Sequence, residues 1–176
     1  MKRKNMLMTG CVFICLALAS CDKNDNDDDE LNDTDRNFMT MTSISNTAEV
    51  DAATLALTKA STPQVMAFAQ HMVSEHGMAQ TDLKNLGASV GYSIKDTIDP
   101  THVAIKAHLS ALNGREFDSA YMHVQVSDHQ LTLNNFNTER LDGRHRDVRN
   151  YADNYAPHIQ SHLQRADSIA NALFRR

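Results

Sequence analysis

Apolar residues recur along this chain with the period of packed helices. Between Val65 and Leu86 the positions 65, 69, 72, 76, 79, 83 and 86 step alternately by four and three, the spacing of a helix face laid against a partner. Six of the seven are aliphatic, and the one at the centre is His76. The same spacing predicts a helix over Arg36 to Ala60, with Phe38, Met41, Ser45, Ala48, Ala52 and Leu55 on its seam. Ser61-Thr62-Pro63 breaks the pattern, with Thr62 suited to cap and Pro63 to open a second helix that reaches about Ser89. Gly91 to Pro100 carries turn residues without a sustained period and reads as a loop. Thr101 to Leu112 is expected as a short helix bearing Val103, Ile105, Leu109 and Leu112.

Two long periodic segments follow. Arg115 to Leu141 repeats through Met122, Val126, His129, Leu133 and Phe136, with a second row of Phe117, Tyr121, Val124 and Leu131 widening the buried face. His145 to Phe174 repeats through Val148, Ala152, Tyr155, Ile159, His162, Ala166, Ile169 and Leu173, and Pro157 should kink it near Asp153. No alternating β-rich run occurs. The fold class expected is all-α, a four-helix bundle with one short extra helix in the long crossover.

The seams also set out the chemistry. His76, His129 and His162 each fall on the apolar line of a different long helix, and Glu49 flanks the line of the remaining one. Facing helices of a bundle build metal sites from inward Glu and His side chains, and imidazole with carboxylate would suit iron, zinc, manganese or copper. The same four residues could instead hydrogen-bond one another as a polar network that fixes helix register. The tetrad Val73-Ser74-Glu75-His76 is echoed by Val126-Ser127-Asp128-His129, a weak sign of internal repetition. His158 and His162 are spaced to share a helix face, but His158 lies off the seam. His71 and His76 are expected to diverge, and His102, His108, His123 and His145 to lie on the surface. Met39, Met41, Met66, Met72, Met78 and Met122, with His71, His76 and His123 nearby, could form a soft copper(I) site, although methionine is ordinary core filler.

The N-terminal end has a different pattern. Lys2, Arg3 and Lys4 precede an apolar run from Leu7 to Ala19, the layout of a signal peptide over residues 1–20. Leu18-Ala19-Ser20-Cys21 resembles the lipobox of bacterial lipoproteins, which implies a lipid on Cys21 and attachment to a membrane without spanning it. Cys11 and Cys15 would leave with the signal, so the mature chain would have no disulfide and no thiolate chemistry. The formal charge of −5 becomes −8 once Lys2, Arg3 and Lys4 are removed. Asp22 to Asp35 holds eight acids and one base. With Cys21 this stretch, 21–35, reads as a disordered acidic tether before a bundle domain at 36–176. Acids just after such a cysteine resemble the surface-export signals of lipoproteins, so a periplasmic and a surface-exposed location in the outer membrane both stay open. The domain itself is nearly neutral, which excludes a nucleic-acid surface as partner. No P-loop, nucleophile elbow, HExxH or dinucleotide fingerprint occurs, and no catalytic residues are assigned.

Several short elements together resemble a known family. They are Ala48-Glu49-Val50, Phe68-Ala69-Gln70, Met72 to His76, Phe117-Asp118 with Tyr121, Asp128-His129, Pro157, and His162-Leu163 with Ala166. In this order and spacing the chain is similar to the domain-of-unknown-function family 4142, bacterial envelope proteins described as predicted outer membrane proteins. The resemblance covers about Arg36 to Leu173 and implies a ferritin-like four-helix bundle. The polar positions of that family correspond here to Glu49, His76, His129 and His162. Di-iron ferritins place a Glu three residues before a His, whereas residues 73 and 126 here are both Val, which disfavours a carboxylate-bridged iron pair.

Overall fold

A computed structural model of the chain describes residues 30–174, with side chains through Leu173. The expected signal segment, Cys21 and the expected tether up to residue 29 lie outside the described residues. Among the described residues there are five helices: α1 (Asp33–Lys59), α2 (Pro63–Ser89), α3 (Pro100–Ala111), α4 (Gly114–Asp142) and α5 (Arg146–Phe174). The all-α bundle expected from periodicity is what the chain forms.

Local chemistry explains the boundaries. Helix α1 starts three residues before the expected Arg36, because Asn32 and Asp35 form a reciprocal capping box. Asp35 accepts a bond from the backbone N–H of Asn32 at 2.6 Å, and Asn32 Oδ1 accepts one from Asp35 N–H at 2.8 Å. The end of the expected tether is therefore the first turn of the bundle, and Asp35 is fully buried. Thr62 caps α2 and Pro63 opens it, as the sequence suggested. Gly87 must lack a side chain, since an added Cβ would lie 2.6 Å from both Ile94 Cγ1 and the Tyr92 carbonyl oxygen. Gly91, at φ +70°, then turns the chain out of α2. Helix α5 runs on through Pro157; the Asp153 carbonyl, which loses its helical partner there, is on an exposed residue where water can serve it.

The ends of the helices show how the chain is wound. The start of α1 meets the end of α4, with Asn32 Nδ2 donating to the Asp142 carbonyl. Its other end meets the start of α4, where Lys59 Nζ donates to the Leu112 carbonyl. Helices α1 and α2 form one antiparallel hairpin and α4 and α5 another. The segment 90–113, which includes α3, runs the length of the bundle between them. One long crossover of this kind is the ferritin-like arrangement of a four-helix bundle.

Two apolar clusters fill the interior. One gathers Phe68, Met72, Phe117, Tyr121, Met122 and Leu109. The other gathers Phe38, Met39, Leu83, Phe136, Val148 and Tyr151. On α2, α4 and α5 a histidine separates the residues given to one cluster from those given to the other, and on α1 Asn46 and Glu49 do so. The bundle therefore has a polar layer at its middle.

Expected faces on three helices were partly misplaced. Met41 is 45% exposed, and the buried row of α1 runs instead through Phe38, Thr42, Asn46, Glu49 and Ala53. This helix is turned so that its polar side chains can bond within the middle layer, which outweighs burial of one flexible methionine. Leu131, expected in the second row of α4, is 64% exposed, and Val103 on α3 is 57% exposed. Met72, Met122 and Met39 are core residues of the two clusters, whereas Met66 and Met78 are exposed, so the methionines do not gather into one soft site.

Candidate metal centre

The middle layer brings together all four residues the seams single out. His76, His129 and His162 are between 1% and 4% exposed. Their ring centroids lie 5.4 Å apart in all three pairs, so the imidazoles stand at the corners of an equilateral triangle. One nitrogen from each can be chosen so that all lie within 4.8 Å of one another. His76 Nε2 and His129 Nε2 are 3.4 Å apart. Two nitrogens bound at about 2.0–2.1 Å to one tetrahedral ion are separated by about this distance.

Hydrogen bonding fixes which nitrogens carry protons. The His129 Nδ1–H donates to the Gln125 backbone carbonyl at 2.8 Å, an oxygen that can only accept. For His76 the assignment runs through three residues. The Asp96 carboxylate accepts from Gln80 Nε2 at 2.7 Å, which turns Gln80 Oε1 toward Asn46 Nδ2. Asn46 Oδ1 is thereby left facing His76 Nδ1 at 3.0 Å, so His76 Nδ1 donates. Both Nε2 atoms are then lone pairs that face each other with no hydrogen between them. His162 adds a buried Nδ1 that has no hydrogen-bond partner among the described residues. An unsatisfied buried group of this kind costs about 1–3 kcal/mol.

Electrostatics keep the imidazoles neutral. Burial pushes the His76 pKa well below its ordinary value, and the neighbouring His129 and His162 push the same way. Burial holds His129 down to about 4, against the upward pull of the Gln125 carbonyl and Asp128. His162 falls to about 3, through burial and then His129 and His71. Three neutral imidazoles in contact are suited to a cation and poorly suited to protons.

Glu49 has a different position from the one expected of a ligand. Its Oε1 lies 3.6 Å from His129 Nδ1, the nitrogen turned away from the His76 contact. Its Oε2 accepts from Gln125 Nε2 at 2.6 Å. Burial, helped by Asp128, raises its pKa to about 8, against the Gln125 bond. The carboxylate therefore stands behind His129, on the side of the ring where the Gln125 carbonyl takes the Nδ1–H, and not at the corner of the triangle.

Sequence reasoning missed Asn46 and Gln125. Asn46 lies three residues before Glu49 and Gln125 four before His129, so helical spacing alone could have put them in the same layer. It also did not bring His71 to His162, whose rings pack with centroids 5.2 Å apart. His145, expected on the surface, is 7% exposed and gives its backbone N–H to Asp35. His102 is half-buried, with Nδ1 3.0 Å from Asp99 Oδ1. His108, His123 and His158 are exposed as expected.

The chain matches the Domain of unknown function (DUF4142) family over residues 21–169. No curated protein and no solved structure matches it. Since the match takes in nearly all of the bundle together with its triangle of histidines, this protein belongs to the DUF4142 family.

Proposed function

We propose that this protein is a transition-metal-binding bundle held at the bacterial outer membrane by a lipid on Cys21. The observation that carries the metal reading is the triangle itself. Three neutral imidazoles are spaced for one tetrahedral ion, and two of them point bare lone pairs at each other. His76, His129 and His162 would be the ligands, with the Gln125 carbonyl and Asn46 setting the tautomers of His129 and His76 and Glu49 standing behind His129. An all-imidazole set suits zinc, copper or iron better than manganese, which favours oxygen. Three protein ligands leave a fourth position open on a tetrahedral ion.

A purely structural polar network is the competing reading. It is weakened by what it leaves unpaired in the middle layer: among the described residues, His162 Nδ1 and Gln125 Oε1 are buried without partners. The envelope reading is supported by the basic-apolar leader and by the lipobox-like sequence ending at Cys21, the residue at which the family match also begins.

Metal content of the full chain, purified without a histidine tag, tests the first part. We expect about one zinc or copper ion per chain, lost in His76→Ala and in His129→Ala. Metal-free protein whose melting temperature does not move on adding zinc would overturn it. For the anchor, Cys21→Ala should shift the protein from the membrane to the soluble fraction of the envelope, and an unchanged distribution would contradict the lipid assignment.

A further inference from the structure

The triangle is closed to solvent, which raises the question of how an ion reaches it. Beside it, on the α2–α5 side, lie two pairs of residues spaced four apart: His71 with Glu75 on α2, and His158 with His162 on α5. His71, Glu75 and His162 form a second group whose potential ligand atoms all lie within 4.8 Å of one another. His71 stands edge-on to His162, with ring centroids 5.2 Å apart. Glu75 Oε2 lies 3.2 Å from His158 Nδ1, and their side chains are 25% and 56% exposed.

These groups form a descending series. His158 is at the surface, Glu75 and His71 are half-buried, and His162 is buried and common to both groups. Glu75 and His158 carry no part of the apolar clusters. The mixed set of one carboxylate and imidazoles is also a different chemistry from the all-imidazole triangle. A carboxylate adds charge attraction for a hydrated cation, and imidazoles can then replace its water one at a time. Arg165, whose guanidinium lies over the Phe68 ring, is the nearby opposing charge.

We propose that His71, Glu75 and His162 form an outer cation site through which divalent metal loads the core, with His158 gathering ions at its mouth. The proposal rests on the core-site reading. His162 is the residue handed from one coordination set to the other. The ion exchanges Glu75 and His71 for His76 and His129 as it moves inward. No bond is made or broken other than metal–ligand bonds, and no redox change occurs.

Cobalt(II) uptake by the untagged full chain, followed by stopped-flow visible absorption, tests this. Wild-type protein should develop the intense bands of tetrahedral cobalt. A His71→Ala/Glu75→Gln double variant should reach the same final spectrum and stoichiometry, with uptake slowed by about tenfold or more. Release to a chelator should slow in parallel, because both directions use one path. His158→Ala should give a smaller slowing of the same sign. Uptake by the double variant within about twofold of wild type would overturn the route while leaving the core site standing. A double variant that no longer reaches wild-type stoichiometry would also overturn it, since His71 and Glu75 would then be permanent ligands. If wild-type protein gives no cobalt spectrum that His129→Ala abolishes, the core-site reading itself fails and the route fails with it.

Discussion

Glu49 shows how one side chain can be costly for the apo bundle and useful to a site. It is buried, bonded to Gln125, and held protonated near neutrality, with a pKa raised to about 8. A cation on the far side of His129 would favour its ionised form and strengthen its pull on His129 Nδ1. Glu49→Gln keeps the shape and removes the acid. In metal-free protein this substitution should leave the melting temperature unchanged or slightly raised. Metal affinity should nevertheless fall by about 10–100-fold, the usual cost of losing an outer-shell partner. Isothermal titration with zinc beside thermal unfolding of both proteins separates the effects. A large drop in apo stability with unchanged affinity would make Glu49 a structural residue only.

At the scale of the helix, the sequence carried the architecture and most of the site. A heptad seam marks which side of a helix is buried, and a histidine on an otherwise aliphatic seam must therefore be inward. This is why His76, His129 and His162 were legible. The pattern fails where a helix buries polar residues as well as apolar ones. On α1, Thr42, Asn46 and Glu49 are all at most 4% exposed, and apolarity alone rotated the expected face toward Met41. Contacts between helices were not legible at all: His71 meets His162 only because α2 and α5 pack side by side. The start of α1 was hidden by composition, since Asp33 and Asp35 belong to an acidic run yet build a helix cap. The corrected faces predict unequal costs on one helix. Phe136→Ala should destabilise by about 3–5 kcal/mol, since its ring is buried edge-on to Phe38 with centroids 4.9 Å apart. Leu131→Ser should change stability by less than about 0.5 kcal/mol. Urea denaturation of both variants checks this, and comparable losses would mean the α4 face is wrongly placed.

Across the whole molecule the polar layer sets a dependence on pH. The three core histidines have folded pKa values below the unfolded 6.5, so the unfolded chain binds the extra protons. Their contribution is present in full above that pH and is lost as pH falls through about 4 and 3. Glu49 and Glu139 act in the opposite sense. Burial raises them from 4.5 to about 8 and about 9, and for Glu139 the neighbouring Asp35 adds to the rise. Their contribution is present below pH 4.5 and is lost as pH rises through those values. Metal-free protein should therefore be most stable between about pH 6 and 6.5 and weaken on both sides. Bound metal should steepen the acid limb, because protons then compete with the ion, and flatten the alkaline limb by keeping Glu49 ionised. A metal-free stability that rises steadily from pH 5 to pH 9 would contradict the assignment of neutral imidazoles and buried protonated carboxyls. The most direct test of the metal centre is an anomalous difference map from crystals of the untagged protein grown with zinc. The account predicts one strong peak inside the bundle, about 2.0–2.1 Å from a nitrogen of each of His76, His129 and His162, with Glu49 outside the coordination sphere. A map with no peak among these three rings, or with zinc bound only at surface residues, would contradict it.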